Sequence, residues 1–196
     1  GGEIPVDCTV VPLAINGRRE GSVVVFRNIS ERKSAERLSW ELQHDPLTGL
    51  PNRRVLAQAL AAELERRRER GGYSAVLYID IDRFNAIVDH AGARAADRAL
   101  SEVAQALRQR MRQDDALARL ESDHYAMLLS GVQLDNLFVL ADGLREAIRS
   151  CKVHLFRRDV PVTASVGVAI LSGEAPSAEY ALEHARVACQ QAKRRG

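Results

Sequence analysis

The chain has 196 residues, 46% of them hydrophobic and 28% charged, with a net charge of +2. Those proportions belong to a globular protein, and so small a net charge excludes bulk attraction to nucleic acid or to a membrane surface as its organising principle. Cys8, Cys151 and Cys189 are far apart with no paired spacing. That excludes a disulfide frame or a cysteine zinc site and predicts small core residues in a reducing cytoplasm.

In residues 3–28, Ile4, Val6, Cys8 and Val10 alternate with Pro5, Asp7 and Thr9, a period of two. Asn16-Gly17 then gives a hairpin turn, and 22–26 resumes as a strand. Two strands cannot bury a core by themselves. Residues 1–29 are therefore expected to be the tail of a preceding domain, and the chain to be a piece of a longer protein. A strand ending in Asn28-Ile29-Ser30-Glu31-Arg32-Lys33 and followed by a helix resembles the C-terminal edge of a PAS sensor domain. The helix is predicted over 30–44, with Ser30 as its cap and Ala35, Leu38 and Leu42 along one face. Two readings of it stay open: parallel pairing with a second copy as a short coiled coil, and a connector packed on its own domain. Trp40 reads as a packing residue.

Pro46, Gly49 and Pro51 break that helix, and Asn52 can cap the next, which runs to about residue 70. Its Arg66-Arg67-Arg68 run is interleaved with Glu63, Glu65 and Glu69, the pattern of a solvated face. A strand over 73–80 follows, ending at the acidic pair Asp80 and Asp82. Helical patterns then run through Ala91 and over 94–112. Next come two apolar runs flanking the polar tip Glu121-Ser122-Asp123-His124, a hairpin signal. A helix is predicted over 134–149, β-rich stretches over 151–156 and 160–171, and a last helix over 177–195. The fold class is α/β (α+β), a mixed central sheet flanked by helices, with an N-terminal hairpin and connector helix. If strand 73–80 neighbours the hairpin, Asp80 and Asp123 meet at one edge of the sheet. Two carboxylates beside a tight turn suit a Mg2+-phosphate site. The plainer reading of Asp80 and Asp82 is a pair of strand-end acids capping the next helix. His44, His90, His154 and His184 show no ligand spacing.

Four blocks in register resemble the GGDEF, or diguanylate cyclase, family. They are 45–54; Asp80-Ile81-Asp82-Arg83-Phe84 with Asp89, Gly92, Asp97 and Leu100; Arg119 to Tyr125, at the place of the Gly-Gly-Asp-Glu-Phe signature; and Val162-Thr163-Ala164-Ser165-Val166-Gly167 with Ala192-Lys193. Together they cover about three quarters of the chain. The resemblance implies the nucleotidyl-cyclase-like fold over 45–196 and an activity that joins two GTP molecules into cyclic di-GMP across a homodimer. It further implies that Asp80, the Ile81 carbonyl and Asp123 hold Mg2+, that Asp97 reads the guanine edge, and that Lys193 meets the phosphates. Arg112 and Asp115 stand at the register of the family's Arg-x-x-Asp inhibitory site for cyclic di-GMP, where arginine can pair with guanine O6 and N7. The plainer reading is an i,i+3 ion pair at a helix end. The spacing alone is common, since Arg94 and Asp97 show it too.

The departures from the family pattern all point one way. Glu121 and Ser122 stand at the two glycine positions, where bare backbone reaches positive φ and approaches a phosphate. A side chain in left-handed geometry costs roughly 1–2 kcal/mol. Glu121 also brings a negative charge towards a triphosphate, about 4 kcal/mol at ~4 Å and an effective dielectric of 20. His124 replaces the signature glutamate, and a proton-transfer group of that kind is worth ~10²–10⁴ in rate. Val88, Asn85, Ala93 and Ala96 replace an asparagine, a lysine, a histidine and a glycine. The expectation is a degenerate, regulatory domain in a cytoplasmic protein. It would bind cyclic di-GMP or GTP and lie between a PAS sensor and a downstream EAL phosphodiesterase. An active cyclase with an altered signature and a nucleotide-free dimerisation scaffold are the alternatives.

Overall fold

The computed structural model describes residues 4–15, 18–155 and 158–195, which fall into two compact units divided between Leu42 and Gln43. In the first, β1 (Val6–Ile15) and β2 (Arg18–Asn28) pair antiparallel from Val6↔Asn28 to Ile15↔Arg18, and α1 (Ser30–Glu41) follows. The Asn16-Gly17 turn lies outside the described residues. Val10, Val24 and Phe26 are exposed, and α1 buries none of its residues. Three expectations change here. Ser30 is not the cap: it opens the helix, and its N–H donates to Asn28 Oδ1 at 2.9 Å. Trp40 is 43% exposed. Cys8 faces outward because the period-two alternation has no buried side to assign it to.

The second unit is built on a split β-α-β plan. Its elements are α2 (Arg53–Arg70), β3 (Tyr73–Ile81), α3 (Phe84–Ala91), α4 (Ala93–Arg108), β4 (Ala116–Glu121), β5 (His124–Leu129), α5 (Leu137–Arg149), β6 (Lys152–Leu155), β7 (Arg158–Pro161), β8 (Ala164–Ser172) and α6 (Ala178–Arg195). The four-stranded sheet runs β4-β5-β3-β8. Every pair is antiparallel. Both helical crossovers, β3 to β4 and β5 to β8, leave one strand between their ends, so strands that run parallel never touch and the mixed sheet of the sequence reading is antiparallel throughout. The β stretch expected over 160–171 divides after Val162, whose N–H still donates to the Cys151 carbonyl at 2.9 Å on the β6 side. β7 pairs with β6 in a separate hairpin, and β8 begins at Ala164.

β3 is central and buried on both faces, from Ser74 to Ile81. Its odd positions, Leu77, Ile79 and Ile81, face Leu100, Val103, Leu107, Tyr125 and Ile148. Its even positions, Val76 and Tyr78, face Leu56, Leu60, Leu182 and Cys189 from α2 and α6. Each large side chain so buried contributes about 1.5–3 kcal/mol. The Tyr125 phenol, fully buried, donates to the Leu100 carbonyl at 2.8 Å, which removes the cost of an unpaired hydroxyl.

The arginine run of α2 is not a simple solvated face. Glu63 is buried and ion-paired to Arg66 at 2.7 Å and Arg67 at 3.2 Å, while Ser74 donates to it at 2.5 Å. Periodicity in a charge run cannot show that one acid of the run turns inward.

α6 lies against β8 at Gly167, where a Cβ would come within 2.1 Å of both the Ala185 carbonyl oxygen and the Cys189 nitrogen. Gly167→Ala should therefore cost about 3 kcal/mol, because only backbone can yield. A thermal melt of the variant checks this; an unchanged midpoint would show that α6 can shift freely.

Candidate functional site

The central strand β3 ends in Asp80-Ile81-Asp82, and the β4–β5 hairpin turns beside it. Pairing of β3 with β5 sets Asp80 opposite His124, and the Ile81 N–H donates to the Asp123 carbonyl at 3.3 Å. Asp80 is buried; Asp123 and His124 are half-buried; their ligand atoms lie within 4.8 Å of one another. His124 Nε2 stands 3.5 Å from Asp80 Oδ2 and 3.8 Å from Asp123 Oδ1. The His124 ring packs on Tyr78 with centroids 5.5 Å apart. Burial and the charges of Glu121 and Asp80 push the Tyr78 phenol up to about 12.

The last turns of α6 carry Lys193 to the same place. Its Nζ donates to Asp80 Oδ1 at 2.5 Å and to the Ile81 carbonyl at 3.4 Å. Desolvation pulls the Lys193 ammonium down, but the Asp80 hydrogen bond and the charges of Asp80, Asp123 and Asp82 outweigh it and hold the group above its ordinary value. Asp82 is occupied elsewhere. Its N–H donates to Thr163 O and its Oδ1 accepts from Ser165 Oγ, both at 2.8 Å, which ties the end of β3 to the start of β8. The acidic pair of the sequence reading thus splits into one site-facing and one structural carboxylate.

The hairpin tip is two residues, Ser122 and Asp123, with Glu121 paired to His124. Ser122 has φ 47, the left-handed region, while Glu121 does not share it. The strain expected at both glycine positions of the family signature falls on Ser122 alone. Glu121 is an exposed residue ending β4.

The tip is held by Arg119, which the sequence reading placed at the start of the signature block without giving it a role. Its Nη1 donates to both Asp45 oxygens at 3.0 Å, and its Nε and Nη2 donate to the Ser122 carbonyl at 3.0 and 2.5 Å. Asp45 also accepts from the Thr48 N–H at 2.8 Å and from the Thr48 hydroxyl at 2.7 Å. Desolvation raises the Asp45 carboxyl, but the Thr48 hydrogen bonds and the Arg119 fork prevail and hold it below its usual value.

The remaining expected residues stand apart from this cluster. Asp97 is exposed on α4, where its carbonyl accepts from Ser101 Oγ at 2.9 Å. Arg112 and Asp115 share a turn in which Asp115 Oδ2 accepts from the Arg112 N–H at 2.8 Å and Oδ1 from the Ser130 N–H at 3.1 Å. The carboxylate closes the turn on backbone donors, so the i,i+3 ion pair is not formed among the described residues. No helix among the described residues is long and apolar enough to cross a membrane.

The fold and this strand end define the class: a split β-α-β, antiparallel α+β domain with clustered carboxylates facing a hairpin turn. The chain belongs to the GGDEF family, whose profile, "Diguanylate cyclase, GGDEF domain", matches residues 42–196. It is 38% identical over 152 residues to diguanylate cyclase DgcP of Pseudomonas aeruginosa, covering 78% of this chain and 22% of that protein. It is 30% identical over 182 residues to the bifunctional diguanylate cyclase/cyclic di-GMP phosphodiesterase MucR of the same organism, covering 93% of this chain and 26% of that protein. The chain thus spans about a quarter or less of the length of these relatives. Among solved structures it resembles diguanylate cyclase SiaD of Pseudomonas aeruginosa, crystallised with its activator SiaC. That likeness has a TM-score of 0.73 at 32% identity and covers 85% of this chain and 64% of that one.

The Asp45–Arg119 pair carries a pH prediction. A carboxyl held low in the fold contributes stability that is present above its unfolded value, about 3.9, and is lost as pH falls through the lower folded value. The melting midpoint should therefore drop below pH 4 more steeply in the parent than in Asp45→Ala. At neutral pH that substitution should cost about 2 kcal/mol, since it strands a half-buried guanidinium. Parallel pH slopes in the two proteins would refute it.

Proposed function

We propose that this chain is a catalytically degenerate GGDEF domain that serves as a regulatory nucleotide-binding module in cyclic di-GMP signalling. The observation that carries the reading is the hairpin tip: Ser122 holds a left-handed backbone at φ 47, beside Glu121 and His124, where the family signature has two glycines and a glutamate. A triphosphate laid against this turn would meet a hydroxymethyl group and an added negative charge in place of bare N–H groups. The catalytic carboxylate of the signature is replaced by an imidazole of different reach.

The ligand in this reading is cyclic di-GMP at Arg112 and Asp115, whose turn presents an exposed arginine beside a carboxylate with unused lone pairs. GTP, held by the frame of Asp80, Asp97 and Lys193, is the second ligand. Residues 1–29 are read as the end of a PAS sensor, 30–44 as a connector that pairs in a homodimer, and 45–196 as the output domain. The described hairpin and the exposed apolar face of α1 support that division. MucR joins cyclase and phosphodiesterase functions in one protein, which supports a downstream EAL phosphodiesterase as the partner regulated here.

Incubation with GTP and Mg2+ followed by chromatography should yield no cyclic di-GMP. Calorimetry should show cyclic di-GMP binding that Arg112→Ala weakens at least tenfold, about 1.4 kcal/mol, the loss of one bidentate guanine contact. Product from GTP would establish an active cyclase instead, and no heat with either nucleotide would leave a scaffold. The combined reversal Glu121→Gly, Ser122→Gly and His124→Glu should raise any GTP turnover by ~10²-fold or more, the value of a restored proton-transfer group.

A further inference from the structure

We infer that Asp80, Asp123 and His124 form a site selective for a first-row transition ion, Zn2+ above all, and not for the Mg2+ that this position implies in the family. The inference rests on the reading that Asp80 and Asp123 face a metal, and on no nucleotide being bound. Mg2+ demands a near-octahedral shell of oxygen donors at about 2.1 Å and binds imidazole poorly. Here the third donor is a nitrogen. Two carboxylates and one neutral imidazole carry charge −2, and such mixed N/O sets suit Zn2+ and its transition-metal neighbours.

The spacing agrees. Tetrahedral Zn2+ with bonds of about 2.1 Å places neighbouring donors about 3.4 Å apart, whereas octahedral Mg2+ needs adjacent donors about 2.9 Å apart. His124 Nε2 stands 3.5 Å from Asp80 Oδ2 and 3.8 Å from Asp123 Oδ1. Those separations exceed a good hydrogen bond, so Nε2 is aimed between two acids without bonding either. A cation at the common point would give Nε2 and the two facing carboxylate oxygens a shared partner.

Lys193 narrows the choice further. It takes Asp80 Oδ1 at 2.5 Å and approaches the Ile81 carbonyl at 3.4 Å, which leaves Asp80 Oδ2 as the oxygen facing His124. A four-coordinate ion can use three protein donors and one open position with the ammonium in place. Mg2+ held here with the ammonium in place would keep only the two carboxylates as protein donors and fill its octahedron with water, leaving the imidazole unused.

The test titrates the chain, stripped by chelator and free of nucleotide, with ZnCl2 and separately with MgCl2 by calorimetry. The imidazole signals of His124 are followed by NMR. Zn2+ should bind at least about tenfold tighter than Mg2+ and shift the His124 signals at the first equivalent, and His124→Ala should weaken Zn2+ at least about tenfold, the usual scale for disturbing a ligand shell. Smaller ratios, or first-equivalent shifts confined to His44, His90, His154 or His184, overturn the inference. Should His124→Ala fail to fold, His124→Glu decides: loss of the Zn2+ preference upholds the assignment and its retention refutes it. Cyclic di-GMP made from GTP would sink the regulatory reading yet leave this metal preference standing, and the reverse outcome is equally separable.

Discussion

One guanidinium sets the geometry on which the site depends. Arg119 grips both oxygens of Asp45 with one nitrogen and the Ser122 carbonyl with two more. It thereby joins the turn that precedes α2 to the tip of the β4–β5 hairpin. Arginine can do this because its planar fork offers several donors in fixed directions, and a lysine would satisfy only one partner at a time. With the tip fixed, Asp123 and His124 face the end of β3, and the left-handed backbone at Ser122 is held in place by a bond to its own carbonyl. The Thr48 hydrogen bonds to Asp45 brace the fork from behind. The strain at Ser122 persists because its surroundings over-determine it.

Much of this was legible in the residues. Runs of alternating or continuous apolar residues marked the strands, and the meeting of Asp80 with Asp123 was expected on the condition that strand 73–80 neighbours the hairpin, which the pairing of β3 with β5 fulfils. The family resemblance gave the fold and brought Lys193 to the same place, although the structure seats it on Asp80 and the Ile81 carbonyl.

Other features lay beyond any periodicity. Arg119 and Asp45 are 74 positions apart, and nothing local to either announces the other. Glu63 turns inward where Ser74 donates to it and two arginines of its own helix balance its charge. A hydropathy pattern assigns such an acid to solvent. Cys8 and Trp40 were misjudged for the opposite reason: their apolar character promised burial, and both are exposed. The separation of Asp82 from Asp80 depended on Ser165, 83 positions away.

Gly167 has a consequence for the ammonium at the far end of α6. The helix rests directly on the main chain of β8, with no side chain between them to act as a cushion. From that fulcrum α6 extends like a cantilever towards Lys193, so the charge's station over Asp80 is dictated by a residue that contributes no atoms beyond its backbone. Side chains at the hairpin tip can therefore change without moving the cation, because its position is set where the helix rests on β8.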